Sequence, residues 1–325
     1  MEKLFFFAAG LVFLIGGAQL LVSGGVQIAQ RFGVSPLLIG LLIGFGTSTP
    51  ELVTSVSGSL AGAPGVALGN IVGANIANLL LVLGACALIT PIDVDSRSLK
   101  FDGAVVFTAI LVFTLLSIAA PLSRPVGAAY LCLLALYIFR SIQIERRKPK
   151  DHTAPYERGE AASHVIPVSS LVQAGWVHLA FSLSQTIGGI VLVVLGAQWL
   201  VDAAVDLARG LQVSESVIGL TVVAIGTTLP ELVTSIAATL RKSTDVALGN
   251  VFGSCIYNVF GIAGITGLIA PTVYPETIAY TGNPIMVAVA GLTIGLAWTG
   301  YRISRREGAL MLALYFGYVA VIWQS

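Results

Sequence analysis

Charge is scarce in this chain. Asp, Glu, Lys and Arg make up 10% of its 325 residues, against about a quarter in an ordinary soluble domain. That deficit excludes a water-soluble fold with a charged shell. The two signs nearly cancel, at a net charge of +1, so no basic face for nucleic acid arises, and no nucleic-acid motif occurs. Histidine and cysteine are equally thin, three of each, and none falls at zinc- or copper-ligand spacing. Cys86, Cys132 and Cys255 lie in or beside apolar runs and are expected to be buried, packing-size residues. His152, His164 and His178 sit in or at the edge of a polar linker and carry no assigned chemistry. No cleavable signal peptide is evident, because the first apolar run is too long and lacks a small-residue cleavage site. The alternating polarity of a membrane β-barrel is absent too.

What is abundant is unbroken hydrophobic length, 56% of the residues. Ten runs, at 4–29, 35–60, 66–90, 101–120, 124–142, 177–208, 213–240, 245–270, 282–301 and 307–323, approach or exceed the roughly 20 residues that cross a bilayer. The expected fold class is an all-α polytopic membrane protein of ten transmembrane helices. The polar stretch 143–176, with Arg146, Arg147, Lys148 and Lys150, divides the chain and reads as a solvated loop. With these spans, Lys3, Arg124 and Arg209 fall on the N-terminal side and the other 14 basic residues on the opposite side. The positive-inside rule then places the linker in the cytoplasm and both termini outside.

One stretch occurs twice. Residues 44–84 and 224–264 align without a gap at an offset of 180. Upstream, Ala18-Gln19 matches Ala197-Gln198 and Val34-Ser35 matches Val213-Ser214, at an offset of 179, so the first copy lacks one residue before Gly46. The expected units are a first repeat at 1–142, the linker at 143–176 and a second repeat at 177–325. Each has five spans, an odd number, so the two would enter the membrane from opposite faces. Inverted repeats of this kind build secondary transporters, with the substrate site between them.

Each copy places a carboxylate, Glu51 or Glu231, directly after a proline inside an apolar run. Pro50 and Pro230 lack an N–H and are expected to break their helices. Carbonyls near Gly44 and Ala224 would thereby lose their partners, a state that survives at membrane depth only beside a cavity or a ligand. Thr47 and Thr227 lie four residues before the glutamates, on the same face if helix continues between them. The next span adds Asn70, Ala74 and Asn78 in one copy and Asn250, Ser254 and Asn258 in the other. Carboxylate, hydroxyl, amide and carbonyl oxygens are hard donors that suit Na⁺ or Ca²⁺. A charged group at the bilayer centre costs about 2.5–3.5 kcal/mol on insertion scales, and no basic residue shares these spans, so a bound cation is the simplest compensation. Gly69, Gly73, Gly249 and Gly253 fit close helix packing. Asn70 and Asn250 fit structural bonding between helices. For Thr54, Ser55, Thr234 and Ser235, bonding back to the helix is as good a reading as any ligand role. Asp202 and Asp206 read as interfacial.

The segments GTSTPELVTS and GTTLPELVTS, with GNIVGANIANLL and GNVFGSCIYNVF, resemble the α-repeats of the sodium/calcium exchanger family, in the cation/Ca²⁺ exchanger superfamily, and the short chain resembles its prokaryotic members. The resemblance implies a secondary antiporter, not an enzyme, exchanging Na⁺ for Ca²⁺ by alternating access, with no cofactor beyond the transported ions. It implies a protein of the prokaryotic cytoplasmic membrane that works as a monomer, with lipid and the two ions as its partners and no nucleic acid. By the same resemblance Thr47, Ser48, Glu51 and Asn78 bind cation from the first repeat. Thr227, Thr228, Glu231, Ser254 and Asn258 do so from the second, with the backbone carbonyls of Gly44 and Ala224. The chain departs from the family in three ways: Ala74 replaces a usual serine, Asn258 stands where many members have aspartate, and one residue is missing before Gly46. Each removes or disturbs an oxygen donor, which suggests fewer than three Na⁺ per cycle. A Ca²⁺/H⁺, K⁺-dependent or broad-selectivity antiporter stays open, and more remotely an intramembrane hydrolase using the two glutamates.

Overall fold

The computed structural model of the chain describes residues 2–31, 46–94, 96, 99–145, 175–240 and 244–324. The first part of the run at 35–60, Gly44 within it, and most of the linker with His152 and His164 lie outside these residues. The described chain is helical apart from short connections. In the first half it forms α1 (Glu2–Arg31), α2 (Thr49–Leu60), α3 (Pro64–Ile76), a π-helical turn π1 (Ala77–Val82), α4 (Leu83–Ile89), β1 (Ile92–Asp93), π2 (Leu99–Gly103), α5 (Ala104–Ala119) and α6 (Arg124–Glu145). The second half forms α7 (Gly175–Leu211), α8 (Glu215–Ile218), π3 (Gly219–Val223), α9 (Ala224–Thr227), α10 (Leu229–Leu240), α11 (Thr244–Ile256), π4 (Tyr257–Ile262), α12 (Ala263–Ile269), π5 (Thr277–Gly282), α13 (Asn283–Trp298), β2 (Arg302–Ile303) and α14 (Arg305–Ile322). Among the described residues, seven helices are long and apolar enough to cross a membrane. An eighth is added if Glu215–Thr227 and Leu229–Leu240, bent by 41°, count as one span.

Helix starts follow from local chemistry. Pro64 opens α3 after a turn in which Gly62 takes φ 72°, a conformation that costs glycine little. Ser304 and Glu307 form a reciprocal cap on α14: the Ser304 hydroxyl accepts from the Glu307 N–H at 3.3 Å, and Glu307 Oε2 accepts from the Ser304 N–H at 2.7 Å. Such caps satisfy the free N–H groups of a first turn.

The duplicated sequence is echoed in the elements. Helix α2 and α10, α3 and α11, π1 and π4, and α4 and α12 begin 180 residues apart. Close helix crossings are made by glycine pairs. A Cβ at Gly10 would stand 2.8 Å from the Gly196 carbonyl, and one at Gly189 2.7 Å from that of Gly17, so α1 and α7 meet backbone to backbone. Gly84 on α4 meets Gly308 on α14, and Gly127 on α6 meets Gly264 on α12. Small residues admit this approach where burial of apolar surface gives no net drive inside lipid. The short connections pair likewise, Ile92 with Ile303 and Leu122 with Thr272.

The same substitution should therefore act with opposite sign at two glycines. At Gly317 on α14 a Cβ would meet no described atom within 4 Å, and Gly317→Ala should stabilise by up to about 1 kcal/mol through helix propensity. At Gly127 a Cβ would come within 2.6 Å of the Gly264 carbonyl, and Gly127→Ala should lower the melting temperature of the detergent-purified protein. Equal melting temperatures for the two variants would contradict the packing argument.

The most enclosed spans are α3–π1–α4 and α11–π4–α12, which form the middle of the molecule with α5, α13 and one side each of α6 and α14 around them. Cys86 and Cys255 are buried as expected, but Cys132 is exposed. It lies on α6, a peripheral helix with an outward face, where an apolar thiol needs no cover in a membrane.

Candidate functional site

Each glutamate sits in the first turn of a half-helix. The chain turns at Ser48 (φ −86°, ψ 12°) before α2 and at Thr228 (φ −79°, ψ −2°) before α10. The breaks thus fall two residues before Pro50 and Pro230, one turn being tightened ahead of the residue that cannot donate. Glu51 and Glu231 occupy the N-terminal turns that follow, where the helix dipole favours negative charge. The Ala224 carbonyl is not released by the break, contrary to the expectation from sequence. It accepts from the Thr228 N–H at 3.0 Å and from the Thr227 hydroxyl at 3.3 Å, because the helix ends only after Thr227. Gly44, its counterpart, lies outside the described residues.

The two copies interlock. Both glutamates are fully buried, and their carboxyl groups lie close enough to interact electrostatically. The Ser48 hydroxyl donates to Glu231 Oε1 at 2.8 Å and lies 3.4 Å from Ser254 Oγ. Thr47 also lies beside Glu231, while Thr227 and Thr228 lie beside Glu51. Each carboxyl group is therefore flanked by the hydroxyl pair of the other copy. Below them Asn70 ties three elements: its Nδ2 donates to the Glu51 carbonyl at 3.1 Å and to Ser55 Oγ at 3.0 Å, and its Oδ1 accepts from Thr227 Oγ1 at 2.9 Å. Asn250 donates to Ser235 Oγ at 3.0 Å. Both asparagines do the structural bonding expected of them. Gly69 and Gly73 pack against the backbone of Gly219 and Leu220 as expected, but a Cβ at Gly249 or Gly253 would meet no described atom within 4 Å, so the close packing expected of that pair is not found among the described residues.

Several of the buried polar atoms that lack a partner among the described residues belong to these side chains and to the two asparagines of the following spans. Both oxygens of Glu51, Glu231 Oε2, Thr228 Oγ1, both amide atoms of Asn78 and Asn258 Oδ1 have no hydrogen-bond partner among the described residues. A buried donor or acceptor left unsatisfied costs about 1–3 kcal/mol, and a cation bound at the two carboxyl groups would offset that cost for the oxygens that face it. The atoms left over are chiefly oxygens, two of the groups are carboxylates, and among the described residues no three His, Cys, Asp or Glu side chains cluster. This chemistry fits a hard alkali or alkaline-earth ion.

The sequence reading missed one residue of this region. Asn75, fully buried on α3, accepts from Asn258 Nδ2 at 3.2 Å. Comparison of the two copies hides it, because the residue 180 positions on is Cys255.

These features define a helical membrane protein whose two repeated segments bring buried carboxylates together at their interface, a design of secondary transporters rather than of enzymes. The family profile for sodium/calcium exchanger protein matches residues 3–143 and 181–324, and the chain belongs to the sodium/calcium exchanger family. It is 31% identical, over 97% of its length and 96% of the relative's, to the sodium/calcium exchanger MaX1 of Methanosarcina acetivorans. It is 30% identical, over 97% and 94% of the two chains, to the inner membrane protein YrbG of Escherichia coli. Among solved structures it is similar to the sodium-calcium exchanger NCX_Mj soaked with 2.5 mM Na⁺ and 10 mM Sr²⁺, with a TM-score of 0.64 at 31% identity over 98% of both chains.

Proposed function

We propose that this protein is a secondary antiporter that exchanges Na⁺ for Ca²⁺ by alternating access, the ions being held between its two repeats. The observation that carries the reading is the pair of buried carboxyl groups, each beside the hydroxyls of the other repeat. In this reading Glu51 and Glu231 supply the charge. Thr47, Ser48, Asn78, Thr227, Thr228, Ser254 and Asn258 supply neutral oxygens, and the carbonyls of Gly44 and Ala224 complete the set. Ala224 contributes only through a lone pair it shares with its helical bonds. The architecture we infer has ten spans in two inverted five-helix repeats, 1–142 and 177–325, joined by a cytoplasmic linker at 143–176. The paired glycine crossings and element spacings support it. Both termini face outward, and one chain suffices for transport. Ca²⁺ uptake into Na⁺-loaded proteoliposomes tests the function. No uptake, or uptake that follows a K⁺ or H⁺ gradient instead of Na⁺, would refute it.

The two sides of this site are unequal. Ser48 has Glu231 and Ser254 as neighbours. Its counterpart Thr228 has no hydrogen-bond partner among the described residues, and the residue 180 positions before Ser254 is Ala74, a methyl group. Replacing Ala74 with serine should supply one neutral oxygen near Thr228 and Glu51. We expect Ala74→Ser to lower the Na⁺ concentration that half-inhibits Ca²⁺ uptake by about fivefold, the worth of one net hydrogen-bond-scale contact. An unchanged Na⁺ dependence would remove Ala74 from the account. With Asn258 neutral, the two carboxylates balance one Ca²⁺ or two Na⁺, and a third Na⁺ would leave excess charge in a low-dielectric surround. The reversal potential of Ca²⁺ flux should accordingly report fewer than three Na⁺ per Ca²⁺.

A further inference from the structure

We infer that Asn75 is a positioning residue that sets which end of the Asn258 amide is offered to the transported cation. The inference rests on the antiport reading for the identity of that cation. An asparagine amide has a donor end and an acceptor end of nearly the same shape, and only the oxygen can ligate a cation. Asn258 Nδ2 donates to Asn75 Oδ1 at 3.2 Å, and Asn75 Nδ2 in turn points at the sulfur of Met286 at 3.5 Å. All three residues are fully buried.

The direction of this relay is fixed at its far end. A thioether sulfur has no proton to give and can only accept. If Asn75 turned over, its oxygen would face the Met286 sulfur and its amino group would face that of Asn258, acceptor against acceptor and donor against donor. With Met286 in place, Asn75 keeps its oxygen toward Asn258, and Asn258 keeps its amino group turned to Asn75. Its own Oδ1 is left over, and that atom is the one that has no hydrogen-bond partner among the described residues. It lies one turn beyond Ser254, whose hydroxyl meets Ser48 and through it Glu231.

The other repeat has no such relay. Asn78 is the counterpart of Asn258, and the position equivalent to Asn75 holds Cys255. Both amide atoms of Asn78 have no hydrogen-bond partner among the described residues. Of the two amides in the site, the one from the second repeat is oriented by the protein.

The test is a double-mutant comparison on the purified full-length protein, with ⁴⁵Ca²⁺ binding and its displacement by Na⁺ as the readout. Replacing Asn75 with leucine removes the acceptor and frees the Asn258 amide to turn. Asn75→Leu should weaken Ca²⁺ binding about tenfold, as expected for losing a hydrogen bond that fixes a ligand. In an Asn258→Asp background both terminal atoms are oxygens and there is no amino group for Asn75 to hold, so Asn75→Leu should not weaken binding there. A loss of the same size in both backgrounds, or in neither, overturns the inference. Should Asn75→Leu not yield monodisperse protein, Asn75→Ser, too short to hold the amide, carries the same comparison. Na⁺-driven Ca²⁺ uptake by the unsubstituted protein separates the two claims. If it transports and the effect is independent of background, only the role of Asn75 falls. If it does not transport, the antiport reading falls as well.

Discussion

Na⁺-dependent Ca²⁺ uptake should fall to background in Glu51→Gln and in Glu231→Gln, while both variants remain folded. The two carboxylates are the ionisable side chains of the proposed site and are fully buried. Each would supply half of the charge that balances Ca²⁺. Removing one member of a buried charge pair costs about 3–5 kcal/mol, which is at least about a hundredfold in affinity. The fold should survive, because glutamine keeps the shape and an acceptor oxygen. In Glu231→Gln the amide oxygen can still accept from Ser48, as Oε1 does at 2.8 Å. Without Ca²⁺ the variants should melt no lower than the parent, since a buried charge that disfavours the apo state has gone. With Ca²⁺ added, the parent should gain thermal stability and the variants should not, as follows for a ligand bound only by the folded state. Normal exchange by either variant would contradict the central assignment. A lower melting temperature without Ca²⁺ would give the glutamates a structural role instead.

The second large effect is expected at Gly73. Helix α3 seats on α8, π3 and α9 through Gly65, Gly69 and Gly73, each four residues from the next. A Cβ at Gly73 would overlap the Leu220 carbonyl and come within 2.6 Å of the Ala224 Cβ. These are backbone and short side-chain atoms that cannot swing aside. Gly73→Val must therefore push α3 away from α9. That separates Asn70 from Thr227, which now meet at 2.9 Å, and with them the two halves of the proposed site. Overpacking of this kind costs about 1–3 kcal/mol in stability, and misplacing ligands by an ångström removes function well before the fold is lost. We expect Ca²⁺ uptake by Gly73→Val to drop at least about a hundredfold, with a lowered melting temperature. Ala74→Ser, at the adjacent position, should keep both. Parent-like uptake by Gly73→Val would show that the contact between α3 and α9 is not what holds the site.

Membrane class, the duplication and the acidic pair were legible without coordinates. Long apolar runs and a gapless repeat are properties of local composition and order, and a carboxylate between a proline and an apolar run is conspicuous in one dimension. The resemblance carried by GTSTPELVTS and its copy agreed with the family membership found by comparison. Proline also marked that each helix would break, since a missing N–H is a property of the residue alone.

Where the break falls, and what it frees, was decided by the fold. The chain turns at Ser48 and Thr228 rather than at the prolines, and the Ala224 carbonyl keeps its helical bond. Cys132 turned outward because α6 is peripheral, a fact of packing and not of sequence neighbourhood. The pairing of Ser48 with Glu231 and of Asn75 with Asn258 joins residues 183 positions apart. The first could be anticipated from the symmetry of the repeat. The second could not, because Cys255 interrupts that symmetry. A sequence fixes which donors and acceptors exist. Which donor meets which acceptor depends on distance and direction between helices that touch only after the chain has packed.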